Sequence, residues 1–259
     1  MFIDTHTHLY VSQFDDDREI VVQRAIDAGV ERMLLPNIDS SSIPGMMDLE
    51  AQFPEHCFAM MGLHPCSVNA QVDEELAVVR EWLDKRSFVA VGEIGIDLYW
   101  DQTYVEEQKR AFLTQTDWAL EKDLPIVIHS RESTDLLIEL LQPYKGSALK
   151  GIFHCFTGTV EQAEAIMELG FLMGIGGVLT FKKAKLDEVL REVPLEALVL
   201  ETDSPYLAPT PYRGKRNESG YIPLIAAKLA AAKEMELEAV ERQTTENAKN
   251  LFRITTKLV

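Results

Sequence analysis

Short β-branched or wholly apolar runs alternate along the chain with longer stretches whose apolar positions recur every three to four residues. The runs FIDTH (2–6), RMLLP (32–36), CFAMMGL (57–63), FVAVGEI (88–94), PIVIHS (125–130), GIFHC (151–155), LMGIGG (172–177) and LVLETD (198–203) predict eight strands. Helices are predicted over 18–28, 46–53, 73–85, 104–122, 132–142, 160–168 and 185–192, with two more, 221–233 and 238–252, closing the chain. The clearest is 104–122, where Val105, Phe112, Leu113, Thr116 and Ala119 fall near helical spacing. Gly29, Gly146 and Gly170 sit just past predicted helix ends, where a left-handed residue is often needed.

Strands that are apolar throughout and separated by helices indicate a parallel sheet covered on both faces. Eight such units in a chain of 259 residues fit an α/β architecture closed as a (β/α)8 TIM barrel, with extra C-terminal helices. No Gly-rich fingerprint follows the first strand, which argues against an open dinucleotide-binding sheet. No Pro/Ser-rich linker or low-complexity tract interrupts the pattern, so residues 1–259 are expected to form one domain.

In such a barrel the side chains at the C-terminal strand ends line the active site. Five of the six histidines fall there: His6 and His8, His64, His129 and His154. His56, at the opposite end of its strand, reads as a surface residue. Glu93 and Asp203 end the fourth and eighth strands. His6 and His8 are two apart, so both imidazoles share a face, while Thr5 and Thr7 turn to the helical layer. Imidazoles mixed with carboxylates suit Zn2+ or Mn2+, and Mg2+ less well. Six protein ligands exceed what one open catalytic metal takes. They suit two divalent ions, with Glu93 as the bridge between the His6/His8 side and the His129/His154 side.

Charge narrows the partners. The net charge of −17 excludes a long DNA-coating surface or an anionic-membrane binder. Six cations, however, sit in two short acid-free segments: Lys182, Lys183 and Lys185 in 181–186, and Arg213, Lys215 and Arg216 in 212–216. Both follow the last two strands, on the expected mouth side, and read as a rim that grips phosphate. Tyr99, Trp100, Phe156, Phe181, Tyr206 and Tyr212 lie on or near the same loops and could stack on bases. Three cysteines without close spacing, no secretory leader and no apolar run of membrane length give the expectation of a reduced, cytoplasmic chain.

The segments FIDTHTHL (2–9), GLHP (62–65), GEIGID (92–97), IHSR (128–131), FHCFTG (153–158), ETDSPYLAP (201–209) and RGKRNE (213–218) together resemble the TatD family of metal-dependent hydrolases. One departure is NESGYIP at 217–223, which lacks the proline that commonly follows NE in the family and touches a loop rather than a ligand. The resemblance implies a TIM barrel and a divalent-metal-dependent nuclease or phosphodiesterase. It carries ligand roles to His6, His8, Glu93, His129, His154 and Asp203, and a substrate-side role to His64.

The expected chemistry is attack of a metal-activated water on a phosphodiester, with Glu93 and Asp203 as catalytic carboxylates and Asp203 taking the proton. Arg131 and Arg213 join His64 as substrate-side candidates. The expected partners are DNA ends or a small phosphodiester, with no membrane and no obligate protein partner. Glu201 is expected either to support a ligating histidine or to be balanced by Arg131, and Asp4 and Asp97 to play supporting roles. Cys155 is expected to pack outward against a helix, and Cys66 to be structural. Two other readings are an amidohydrolase cleaving an amide, lactone or ring C–N bond, and a catalytically silent metal-binding protein. Many amidohydrolases bridge their metals with a modified lysine at the end of strand 4, where this chain has Glu93.

Overall fold

The computed structural model describes residues 1–254. Eight parallel strands alternate with helices: β1 (Phe2–Asp4), α1 (Arg18–Asp27), β2 (Val30–Leu35), α2 (Ile43–Gln52), β3 (Cys57–Ala59), α3 (Val72–Lys85), β4 (Val91–Asp97), α4 (Val105–Glu121), β5 (Ile126–Arg131), α5 (Thr134–Leu141), β6 (Gly151–Phe153), α6 (Val160–Glu168), β7 (Leu172–Ile175), α7 (Leu186–Glu192) and β8 (Leu198–Leu200). Helices α8 (Ile222–Lys233) and α9 (Leu237–Phe252) follow. The alternating α/β order matches the sequence expectation element for element.

Ladders run β1-β2-β3 and β4-β5-β6-β7-β8. Backbone bonds close both seams. Met61 N donates to Ala90 O and Gly92 N to Met61 O on one side, while Thr5 N donates to Leu200 O and Asp203 N to His6 O on the other. The ring is filled from inside. Ile3, Leu34, Met60, Ala90, Val127, Ile152 and Val199 form one buried cluster with Leu251 and Phe252 of α9 packed on it. A separate, larger apolar cluster lies between strands and helices. An inner layer and an outer layer are what a barrel of wholly apolar strands requires.

Helix α4 buries Gln108, Ala111, Phe112, Gln115, Thr116 and Ala119, while Leu113 is only half-buried. The two buried glutamines fix strand ends: Gln115 Oε1 accepts from Leu63 N at 2.7 Å, and Gln108 Oε1 accepts from Asp97 N at 2.9 Å. Gly29, Gly146 and Gly170 take φ of 86°, 81° and 84°, as expected at helix exits. His56 is half-buried rather than a free surface group, with Nδ1 2.9 Å from Glu31 O.

Strand 4 departs from the expectation. It runs 91–97 rather than 88–94, with a register shift between Val91 and Ile94. Ala90 and Glu93, an odd number apart, consequently both face the barrel interior. The first strand also ends earlier than expected, at Asp4, so His6 and His8 stand on the chain beyond it.

Candidate metal centre

The strand ends bring all six expected ligands to one point. Glu93, buried to 2% exposure, sits at the centre. Its Oε2 lies 3.0 Å from His6 Nε2 and 3.6 Å from His8 Nε2. Its Oε1 lies 2.9 Å from His129 Nδ1, 3.2 Å from His154 Nε2 and 3.4 Å from His64 Nε2. Asp203 closes the first group, with Oδ1 3.9 Å from His6 Nε2 and 3.7 Å from His8 Nε2. The two oxygens of one carboxylate thus face two different histidine sets.

Three of the rings are held from behind. His129 Nε2 meets Asp97 Oδ2 at 2.8 Å, and His154 Nδ1 meets Glu201 Oε1 at 3.2 Å. His8 Nδ1 meets the Tyr10 hydroxyl at 2.9 Å. These contacts choose which ring nitrogen is presented to the centre. Room for Glu201 comes from β7, where a Cβ on Gly174 would lie 2.0 Å from Glu201 Oε2. Glu201 thus supports His154 and is not balanced by Arg131, whose guanidinium instead covers the Tyr99 ring at 4.2 Å.

Electrostatically the cage balances its carboxylates with imidazoles alone. Burial works to raise the Glu93 carboxyl, but the surrounding imidazoles win and hold it well below the ordinary carboxylate range. Burial works to lower His154, but the Glu93 and Glu201 carboxylates lift it well above its ordinary value. Burial pushes the Asp203 carboxyl up to about 6. Burial and the neighbouring His6 keep His8 low, and so neutral. Among the described residues no Lys or Arg pairs with Glu93 or Asp203, and His6 Nδ1 has no hydrogen-bond partner. Carboxylates that draw their imidazoles toward protonation fit a divalent cation, which would displace those protons. The groups His6/His8/Asp203 and His6/Glu93/His154 each bring three donor atoms within 4.8 Å of one another.

Asp203 stands in the left-handed region, φ 56°, and its turn is fixed on both sides. Asn217 Nδ2 donates to Thr202 O and to Tyr206 O, both at 2.7 Å, while Thr202 is also held by Asp4 through its amide at 2.9 Å and its hydroxyl at 2.6 Å. Asp4 and Asp97 therefore do have supporting contacts. Tyr10, Asn37 and Asn217 were not singled out from the sequence. Asn37 accepts from Glu93 N at 3.2 Å and donates from Nδ2 to Gly62 O at 2.8 Å. Tyr10 could have been found from its place in step with His6 and His8.

Two cavities open from the centre. One of about 610 Å³ is walled by His64, Cys66, Trp100, Arg131 and Tyr206. One of about 430 Å³ is walled by Ser130, Cys155, Gly158 and Val178. Both reach His129, Arg131, His154, Asp203 and Leu207. Cys155 lines the second cavity rather than packing outward, and burial pushes its thiol up to about 12, so it stays protonated. Cys66 is exposed, and its thiol stands with His64 and His129 as a third group of close donors. On the cationic rim, Arg213 stacks over Phe181 at 3.8 Å. Arg216 does not join that rim, because Asp17 holds it by two bonds of 2.8 and 2.7 Å.

A family model for the TatD-related DNases matches residues 3–253. A metal-dependent hydrolase of Bacillus subtilis, YabD, is 40% identical over 98% of this chain and 100% of its own length. The 3'-5' ssDNA/RNA exonuclease TatD of Erwinia billingiae is 32% identical over 97% of this chain and 98% of its own. The crystal structure of YjjV, a TatD homologue from Escherichia coli, superimposes with a TM-score of 0.92 at 31% identity, covering 98% of both chains.

Proposed function

The chain belongs to the TatD-related DNase family of metal-dependent hydrolases, and we propose that it is a single-domain nuclease that removes nucleotides from exposed single-stranded ends. The observation that carries this reading is the placement of Glu93, one oxygen facing His6 and His8 and the other facing His129 and His154.

We assign His6, His8, Glu93 and Asp203 to one divalent ion, and Glu93, His129 and His154 to a second, with Zn2+, Mn2+ or Mg2+ as the candidates. Such ions, when bound, polarise the phosphoryl group and lower the pKa of a water toward about 7. The protein's own groups do the rest. Asp203, with Oδ1 3.9 Å from His6 Nε2 and 3.7 Å from His8 Nε2, is the carboxylate placed to take a proton from the attacking water. Asp97 and Glu201 hold the His129 and His154 rings so that one nitrogen of each faces Glu93. His64 and Arg131 line the larger cavity on the substrate side. There the Arg131 guanidinium, stacked on exposed Tyr99 and near Trp100, offers both charge and a flat face to a terminal nucleotide. Arg213 contributes from the outer rim.

No helix among the described residues is long and apolar enough to cross a membrane. The test is release of nucleotides from end-labelled single-stranded DNA with each metal in turn, beside an N-acyl amide. Metal-dependent cleavage of the DNA is expected. Turnover of the amide alone would return the chain to the amidohydrolase alternative.

A further inference from the structure

Among the described residues fourteen cations are engaged by carboxylates, Arg216 included, but five others in the loops after β7 and β8 are not. Among the described residues Lys182, Lys183, Lys185, Arg213 and Lys215 form no ion pair, and all five are exposed. The closest acid along the chain, Asp187, is turned to Lys228 at 3.7 Å. An acidic protein that leaves five cations unpaired in one place maintains a local positive potential, which attracts an anion.

The five form one patch. Thr210 N donates to Thr180 Oγ1 at 2.8 Å, and Thr210 Oγ1 donates to Thr180 O at 3.3 Å, tying the two loops together. Arg213 over Phe181 adds a second clasp. The patch also continues the site. The smaller cavity runs from His154 and Asp203 to Val178, on the same loop as Lys182 and Lys183.

We propose that this patch is a second, outlying subsite for a nucleic-acid strand, holding phosphates several nucleotides from the one being cleaved. This deepens the nuclease reading and rests on it: the substrate is a polymer, not a mono- or dinucleotide or a small phosphate ester. A single-strand end lying at the metal centre passes through the smaller cavity and out over the lysines. Flexible lysines suit this task better than a fixed fork, because strand phosphates there need attraction but no set geometry.

The test compares wild type with the triple variant Lys182→Ala, Lys183→Ala, Lys215→Ala on oligo-dT of two to twelve nucleotides. Bis(p-nitrophenyl) phosphate, with its single phosphate, is the reference. Binding of the twelve-mer to the metal-free proteins is read by fluorescence anisotropy across salt. Wild-type KM should fall as the oligonucleotide lengthens, and the variant should lose most of that gain while hydrolysing the reference ester as wild type does. Three lost phosphate contacts should lower the slope of log binding against log salt by about 2, so that wild-type binding falls about 20-fold further than the variant's between 50 and 200 mM salt. Oligonucleotide cleavage with the same length and salt dependence in both proteins would overturn the outlying subsite and leave the nuclease reading standing. Failure of wild type to cleave any oligonucleotide with any metal would overturn the nuclease reading, and the subsite with it.

Discussion

Glu201 Oε1 lies 3.2 Å from His154 Nδ1, which leaves the opposite nitrogen of that ring 3.2 Å from Glu93 Oε1. The same oxygen accepts from Cys155 N at 2.6 Å, so one buried carboxylate fixes both the ring and the backbone beside it. Glu201→Ala should therefore lower metal affinity on the order of 10- to 100-fold, with Glu201→Gln recovering part of the loss. Calorimetric titration of the metal-free proteins measures this. Equal affinities in all three would assign Glu201 to folding alone.

Asp203 is both within 4 Å of two imidazoles and the group whose carboxyl burial lifts to about 6. Replacing it with Asn keeps its size and turn but removes the proton acceptor. Turnover should fall at least about 10²-fold with the fold intact. Single-turnover rates together with circular dichroism separate the two effects. Near-wild-type turnover would remove Asp203 from proton transfer.

Much of this was legible in the sequence because periodicity carries through three of the strands. Val127 leads to His129, Ile152 to His154, and Val199 to Glu201 and Asp203, all in steps of two, so inner core and mouth follow one pattern. The fourth strand breaks it. Ala90 and Glu93 both face inward only because the ladder shifts register between Val91 and Ile94, and alternation alone would send one of them outward. The first, sixth and eighth strands end at Asp4, Phe153 and Leu200, each before its site residues. What the sequence could not give was which side chain backs which ring. Asp97, Glu201 and Tyr10 are chosen by three-dimensional proximity, as is Asp17 in taking Arg216 from the cationic rim.

Asn217 spans the turn that carries Asp203, bonding the carbonyls of Thr202 and Tyr206 from a wholly buried position. Asn217→Ala leaves two carbonyls short of a donor, at a cost of about 2–3 kcal/mol in stability. It should also lower kcat more than it raises KM, because the turn positions a group acting on the reacting water rather than one gripping substrate. Urea denaturation and steady-state kinetics check the two halves. Lost stability with unchanged kcat would leave Asn217 a structural residue only.

Asp4 gives the barrel seam a pH dependence. Burial pushes its carboxyl up from 3.8 to about 7, against hydrogen bonds from Ser219 and Thr202 that favour the charged form. A carboxyl raised on folding is most favourable when protonated. Its contribution is therefore fully present below the unfolded value and is lost as pH rises through the folded one. The interval from 3.8 to about 7 corresponds to roughly 4 kcal/mol. Asp4→Asn, which cannot ionise, should lack this component. The stability of wild type relative to the variant should thus decline between about pH 4 and 7 and level off above. Urea midpoints of the two metal-free proteins, taken at several pH values, measure the gap. A gap constant from pH 4 to 8 would mean that Asp4 titrates near its ordinary value and that its bonds to Thr202 outweigh its burial.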